Sequence, residues 1–255
     1  MISLFQYPFL TFAFSFFAFW LSAQIGVWLR RRWPQMEEAV HKDLDVVLGA
    51  VLTLLGLIIG FSFSMAISRY EQRKTYEVSE ANAIGTEYVR ADLMPAADAA
   101  KMHELMREYL EQRILFYTAT SEEEIPPINA ATAHLQTEMW AAVHASFLAE
   151  PTPALALVAS GMNDVLNSVG YTQAAWWNRI PAEAWWLMSA IAICSNMLVS
   201  YSRHCPKTPL IRFLVLPFVL SIAFFAMADI DSPRRGLIRV PPENLNSLAQ
   251  SLQGR

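Results

Sequence analysis

The chain has 255 residues, of which 54% are hydrophobic and only 16% charged, where a soluble domain carries roughly 25% charged residues. Its mean hydropathy is +0.27 and its formal net charge −4, which argues against the basic face that a nucleic-acid partner needs. Two cysteines, Cys194 and Cys205, are too few for a disulfide framework and lack metal-ligand spacing, so they read as small apolar residues in or near a span.

No charged side chain precedes Arg30, and the stretch from Phe5 to Leu29 is rich in Phe and Trp. A cleaved signal peptide would carry its positive charge before the apolar run. Here Arg30, Arg31 and Arg32 follow it, so the run is a first membrane span. A bilayer core takes roughly 20 apolar residues as a helix, and three more stretches supply them: Val46 to Ile67, Ala184 to Tyr201, and Leu210 to Ala228. Pro217 is expected to kink the last of these. Six tryptophans near span ends (28, 33, 176, 177, 185 and 186) suit the membrane interface.

Between Ser68 and Pro181 the sequence becomes charged and periodic. Ala81, Ile84, Tyr88 and Ala91 predict that the second span continues as one long helix up to Pro95. Further apolar stripes run from Met102 to Tyr117, from Ile128 to Phe147, and from Leu155 to Val169, separated by SEEEIPP and by Pro151 and Pro153. Each needs a partner to cover it, and an antiparallel bundle is the simplest solution. After the fourth span, DIDSP predicts a tight turn and Pro241–Pro242 a short helix from Glu243 to Leu252. The expected protein is all-α: an integral membrane protein with four transmembrane helices and a helical-bundle extramembrane domain. The first two spans occupy 1–67, the helical domain 68–181, the last two spans 182–228, and a C-terminal arm packing on that domain 229–255.

The short loops 30–43 and 202–209 share one side of the membrane, and the triple arginine after an uncharged first span places them inside. The helical domain then faces outward from a bacterial inner membrane. Basic residues flanking the opposite span ends, Arg69, Arg73, Lys74 and Arg179 among them, weigh against this.

Candidate functional residues concentrate in the second span. Gly49, Thr53, Gly56, Gly60, Ser64 and Ser68 recur every three or four residues on one helix face. Small residues let helices approach closely, so the face is a packing seam or, in a symmetric oligomer, the lining of a narrow pore. Asn196 in the third span either bonds to a neighbouring helix or marks a polar path. Asp229 and Asp231 either attract cations as a ring in an oligomer or cap a turn. Glu80, Asn82, Asn163 and Asp164 sit in otherwise apolar stretches and are expected to satisfy one another as polar pairs, or to hold an ion or gate a pore. No acidic or basic residue lies deep in a span, which disfavours a proton-coupled carrier. HExxH, P-loop, G-x-S-x-G and GxGxxG sequences are absent, and the five histidines show no metal-ligand grouping. No catalytic residue, metal or cofactor is expected.

Three segments carry a resemblance: GLIIGFSFSMAISRYEQRKTYEVSEANAIGTEYVRADLMP, MNDVLNSVGYTQAAWWNRIPAEAW and DIDSPRRGLIRV. In matching order, over about Asp43 to Leu248, the chain resembles the bestrophin-like family of bacterial membrane proteins. That resemblance implies kinship to bestrophin anion channels, homopentamers with four spans per subunit and a pore near the second span. It also implies termini and helical domain in the cytoplasm, against the orientation above. The aromatic neck signature and acidic calcium clasp of true bestrophins are missing, so gating by calcium is not implied. Two functions follow: a homo-oligomeric ion channel passing small ions across the bilayer, or a non-conducting membrane scaffold or sensor whose helical domain binds a protein or small effector.

Overall fold

The structure, a computed structural model, describes residues 7–32, 38–202 and 211–253. All regular structure among them is helical: α1 (Pro8–Arg32), α2 (Glu38–Arg90), α3 (Ala96–Thr118), α4 (Ile125–Ala149), α5 (Pro153–Trp177), α6 (Ala182–Ser202), α7 (Ile211–Asp231) and α8 (Glu243–Gln253). Four candidate membrane spans fall within Pro8–Arg32, Leu44–Leu93, Pro153–Ser202 and Leu214–Asp231. The protein is therefore the expected all-α membrane protein. The loop 203–210, with Cys205, and Trp33 lie outside the described residues.

Helix boundaries follow local chemistry. The helix α2 ends in a 3-10 turn, Ala91–Leu93, before Pro95, because a residue preceding proline is pushed out of the helical region. At SEEEIPP the chain turns on a capping box: Ser121 Oγ accepts from the Glu123 amide (3.2 Å), and Glu124 Oε1 accepts from the Ser121 amide (2.9 Å). The prolines of that segment then open α4, where a missing amide hydrogen costs nothing. Thr152 caps α5 by accepting from the Leu155 amide at 3.2 Å, with Pro153 at its first position.

Two compact units result. The first comprises Met1–Arg69 and Arg179–Ile238. In it α1 packs against α6 and α7. Phe224 is the aromatic centre, meeting Phe19 edge-on at 5.3 Å between centroids and Trp185 at 5.7 Å. Buried hydroxyls bond to their own helix. Ser22 donates to the Phe19 carbonyl (2.7 Å), Ser195 to Ile191 (2.8 Å) and Ser221 to Pro217 (2.7 Å). In a bilayer, where water cannot satisfy a polar group, this is the local solution. At Gly26, α1 and α6 meet so closely that an added Cβ would lie 2.3 Å from the Met197 carbonyl oxygen.

The second unit comprises Tyr70–Asn178 and Arg239–Arg255. Its core joins Ile84 and Tyr88 of α2, Met102, Met106 and Tyr109 of α3, Met139 and Val143 of α4, Val158, Met162 and Val165 of α5, and Leu245 and Leu252 of α8. The residues Asp229 to Ile238 group with the membrane unit, and α8 with the helical one. Along the extended stretch before Pro241, Val240 is buried, but Leu237 and Ile238 stay 70% and 45% exposed. The tryptophans divide likewise. Trp28, Trp177 and Trp186 are exposed, whereas Trp176 and Trp185 are core residues; Trp176 packs on Phe116 and Tyr117 at 5.1 and 5.6 Å.

Gly26→Ala should destabilise the protein by about 1–3 kcal/mol, since the clash is with backbone that cannot rotate away. Gly49→Ala should leave the stability of the single chain unchanged, because a Cβ there meets nothing within 4 Å. Thermal melts of both variants in detergent check the pair.

Candidate functional site

The second span presents two faces. Leu48, Leu55, Ser62 and Ala66 are buried. The stripe Gly49, Thr53, Gly56, Gly60, Ser64 and Ser68 is exposed, roughly 150° around the axis at 3.6 residues per turn. A Cβ added at Gly49, Gly56 or Gly60 would meet nothing within 4 Å. The Thr53 hydroxyl donates to the Gly49 carbonyl at 2.8 Å. Only 17% of the most apolar stretch of α2 is buried inside the chain, against 50% for α7. Among the described residues the stripe is thus no packing seam within the chain.

Asn196 is buried on α6. Its Nδ2 donates to the Ala192 carbonyl at 2.8 Å, and its Oδ1 has no hydrogen-bond partner among the described residues. It bonds to its own helix rather than to a neighbour.

Asp229 and Asp231 are buried, and backbone amides take up their carboxylates. Asp229 accepts from the amides of Leu237 (2.6 Å) and Ile238 (3.0 Å). Asp231 accepts from the Ile180 amide with both oxygens at 3.1 Å, and Arg69 Nη1 stands 3.8 Å away. Asp229 thus caps the following turn, whereas Asp231 holds the segment that joins α5 to α6. Gly236 completes the turn, since a Cβ there would lie 2.3 Å from the Asp229 carbonyl oxygen.

The four polar residues of the helical unit do not pair with one another. Asn82, Asn163 and Asp164 are exposed, and only Glu80 is buried. Glu80 instead receives Arg113 of α3, whose Nε donates to Oε1. Its Oε2 accepts from Tyr117 Oη (3.1 Å) and from Thr172 Oγ1 of α5 (3.0 Å). Burial alone would lower the Arg113 pKa, but the Glu80 carboxylate more than offsets it and the guanidinium is held charged. Burial pushes the Tyr117 and Tyr109 hydroxyls well above the ordinary phenol range. Pairing was expected between residues close in kind; the physical reason for the correction is phase, because Glu80 shares the buried face of α2 and Asn82 does not.

Three further buried charges on that face escaped the sequence reading. Arg73 Nε donates to the Ala175 carbonyl (3.2 Å) and its Nη2 to Asn178 (3.3 Å), capping the C-terminus of α5. Glu77 accepts from the amides of Asn244 (2.9 Å) and Leu245 (3.0 Å) and from Asn244 Nδ2 (2.7 Å), at the N-terminus of α8. Glu87 is fully buried, yet neither oxygen is hydrogen-bonded. Arg90 is 3.8 Å off, and the carboxylate occupies the space that a side chain at Gly161 would need, 1.9 Å from its ideal Cβ. Desolvation, partly opposed by Arg90 and reinforced by Asp164, pushes Glu87 up to about 8. The usable sequence signal is the phase of residues 73, 77, 80 and 87, which coincides with the apolar stripe through Ile84 and Tyr88.

Beside this face, α2 and α5 enclose a groove of about 210 Å³. Among the described residues no group of three or more His, Cys, Asp or Glu could hold a metal.

A bestrophin-like domain matches residues 16–245. Crystal structures of a bacterial bestrophin homologue from Klebsiella pneumoniae have the same fold. One, at 13% identity, gives a TM-score of 0.61 over 95% of this chain and 97% of that one. Two point variants of the homologue, at 12% and 11% identity, give 0.63 and 0.66 over 94% and 95% of this chain, and 97% and 98% of theirs. No curated protein matches the chain.

Arg113→Met should cost about 3–5 kcal/mol because it strands a buried carboxylate, and pairing it with Glu80→Leu should recover most of that. Detergent melts of the singles and the double close the cycle. For Glu87 the folded pKa is raised from 4.5 to about 8. Its contribution to stability is therefore fully present below pH 4.5 and lost as pH rises through about 8. The Glu87→Gln variant should lack this component, so the wild-type melting temperature should fall relative to the variant's across that window.

Proposed function

The chain belongs to the bestrophin-like family of membrane proteins, and from that premise we propose that it is a homo-oligomeric ion channel whose second span lines the pore. The observation that carries this is the exposed small-residue stripe of α2, on the least buried of the four spans. A lipid-facing helix has no need of a glycine every few residues. Copies related by an axis do, because a missing side chain lets backbones approach or leaves room for an ion. Gly49, Thr53, Gly56, Gly60 and Ser64 are the proposed lining. Asp229 and Asp231 are left out, since their carboxylates are engaged within the chain. Asn196 is left out as well, being buried within its own subunit.

The same stripe, closed into a dry seam between copies, is the structural basis of the alternative, a non-conducting scaffold or sensor in which the helical unit binds the effector. For either function the protein's partners are the lipid bilayer and further copies of itself. The triple arginine in the last turn of α1 supports a helical unit on the outer face of the bacterial inner membrane.

Reconstituted liposomes test the channel. Wild-type oligomers, sized by native mass analysis, should pass ions, and Ser64→Ala should keep its oligomeric state while changing conductance or ion preference, because a hydroxyl that replaces ion hydration is lost. A well-formed oligomer that passes nothing at any pH, salt or voltage tried overturns the channel in favour of the scaffold. Identical conduction by Ser64→Ala removes the second span as its lining.

A further inference from the structure

The groove between α2 and α5 is chemically one-sided. Tyr76 and Tyr171 stack along it, with centroids 5.9 Å apart and rings 17° from parallel. Its other lining includes Ser79, Asp164, Asn167 and Ser168, with no basic residue among them. The two serine hydroxyls donate to carbonyls of their own helices, Ser79 to Thr75 and Ser168 to Val165, so toward a ligand they act as acceptors, Ser168 beside the Tyr109 hydroxyl. Asp164, on the exposed face of α5, takes part in no hydrogen bond or ion pair among the described residues. A second carboxylate stands close enough to feel it: Glu87, one turn along α2 from the groove residue Ala83, fully buried and hydrogen-bonded through neither oxygen.

We propose that this groove is a binding site for a small organic ammonium ion. Each part of the lining matches that chemistry. The carboxylate of Asp164 supplies the counter-charge. Tyr171, exposed and stacked on Tyr76, supplies an aromatic surface that attracts a weakly hydrated cation. Serine oxygens and the Asn167 side-chain carbonyl accept from N–H or polarised C–H groups. A bare metal ion fits poorly, since it would ask for several converging oxygen ligands, and the space of about 210 Å³ exceeds what it would fill. An anion is opposed by the Asp164 carboxylate and finds no basic residue in the lining. The site lies wholly within the helical unit, so its occupancy does not depend on whether the protein conducts.

The test uses the full-length protein in detergent, titrated calorimetrically with tetramethylammonium chloride against sodium chloride of equal ionic strength. The wild type should bind tetramethylammonium saturably above the sodium blank. Asp164→Asn, which keeps the shape and removes the charge, should weaken binding by about tenfold or more, and Tyr171→Leu by about tenfold, as expected for loss of a cation–ring contact. Tyr171→Phe retains the ring and should stay within about threefold. Both positions are exposed, so melting curves should be unchanged and the affinities comparable. Three results overturn the proposal: no saturable binding above the sodium blank, undiminished binding by Asp164→Asn, or calcium displacing tetramethylammonium at lower concentration while Tyr171→Leu binds as wild type. The last would mark an inorganic cation site.

Discussion

The helical unit depends on one constraint: α2 carries ionisable side chains on the face that it buries. A buried charge without a partner costs several kcal/mol, so other elements must come to Arg73, Glu77 and Glu80. Each charge claims a different partner group. Arg73 takes the C-terminus of α5, Glu77 the N-terminus of α8, and Glu80 the guanidinium of α3 together with hydroxyls from α3 and α5. Apolar contact around Ile84 and Tyr88 supplies the bulk of the burial, but it is non-directional. Helix ends and charge pairs impose the register.

Glu87 is the exception on that face. It reaches into the space left by Gly161 and finds no hydrogen bond there. With Arg90 beyond hydrogen-bond distance and Asp164 adding negative charge, its neutral form is the favoured one over most of the physiological range. A group held this way is sensitive to any change in charge nearby, and the nearest exposed charge on α5 is the carboxylate of the tyrosine-lined groove.

The membrane unit works by the opposite rule. Its buried carboxylates, Asp229 and Asp231, sit at the end of α7, where backbone amides take them up. Within the spans Ser22, Ser195 and Ser221 bond back to their own helices, so α1, α6 and α7 meet through shape, with Gly26 at a close crossing of α1 and α6. What these three leave uncovered is the stripe of α2. One continuous helix therefore carries a small-residue face free of intrachain packing and, farther along, the charges that organise the bundle. If the stripe is a pore lining, the helix that would bound the ion path is also the one on which the helical unit is built.

Much of this architecture was legible in the residues themselves. Blocks of about twenty apolar residues must span as helices, because a bilayer offers no water to unpaired backbone groups, and the prolines and capping residues place the helix ends locally. The family resemblance rested on local segments in the same way. Tertiary structure alone decided the partnerships. Nothing in sequence separates Trp176 and Trp185, which are core, from Trp177 and Trp186, which are exposed, except which face of a helix another element covers. Asp229 and Asp231 looked open to ions until the backbone amides of the following turn and of Ile180 claimed them. Glu80 belongs to Arg113, 33 residues away, and not to the polar residues nearer in kind. Helical periodicity is a property of the chain at short range, whereas the partner of a buried charge is whichever complementary group the packing brings within hydrogen-bond reach.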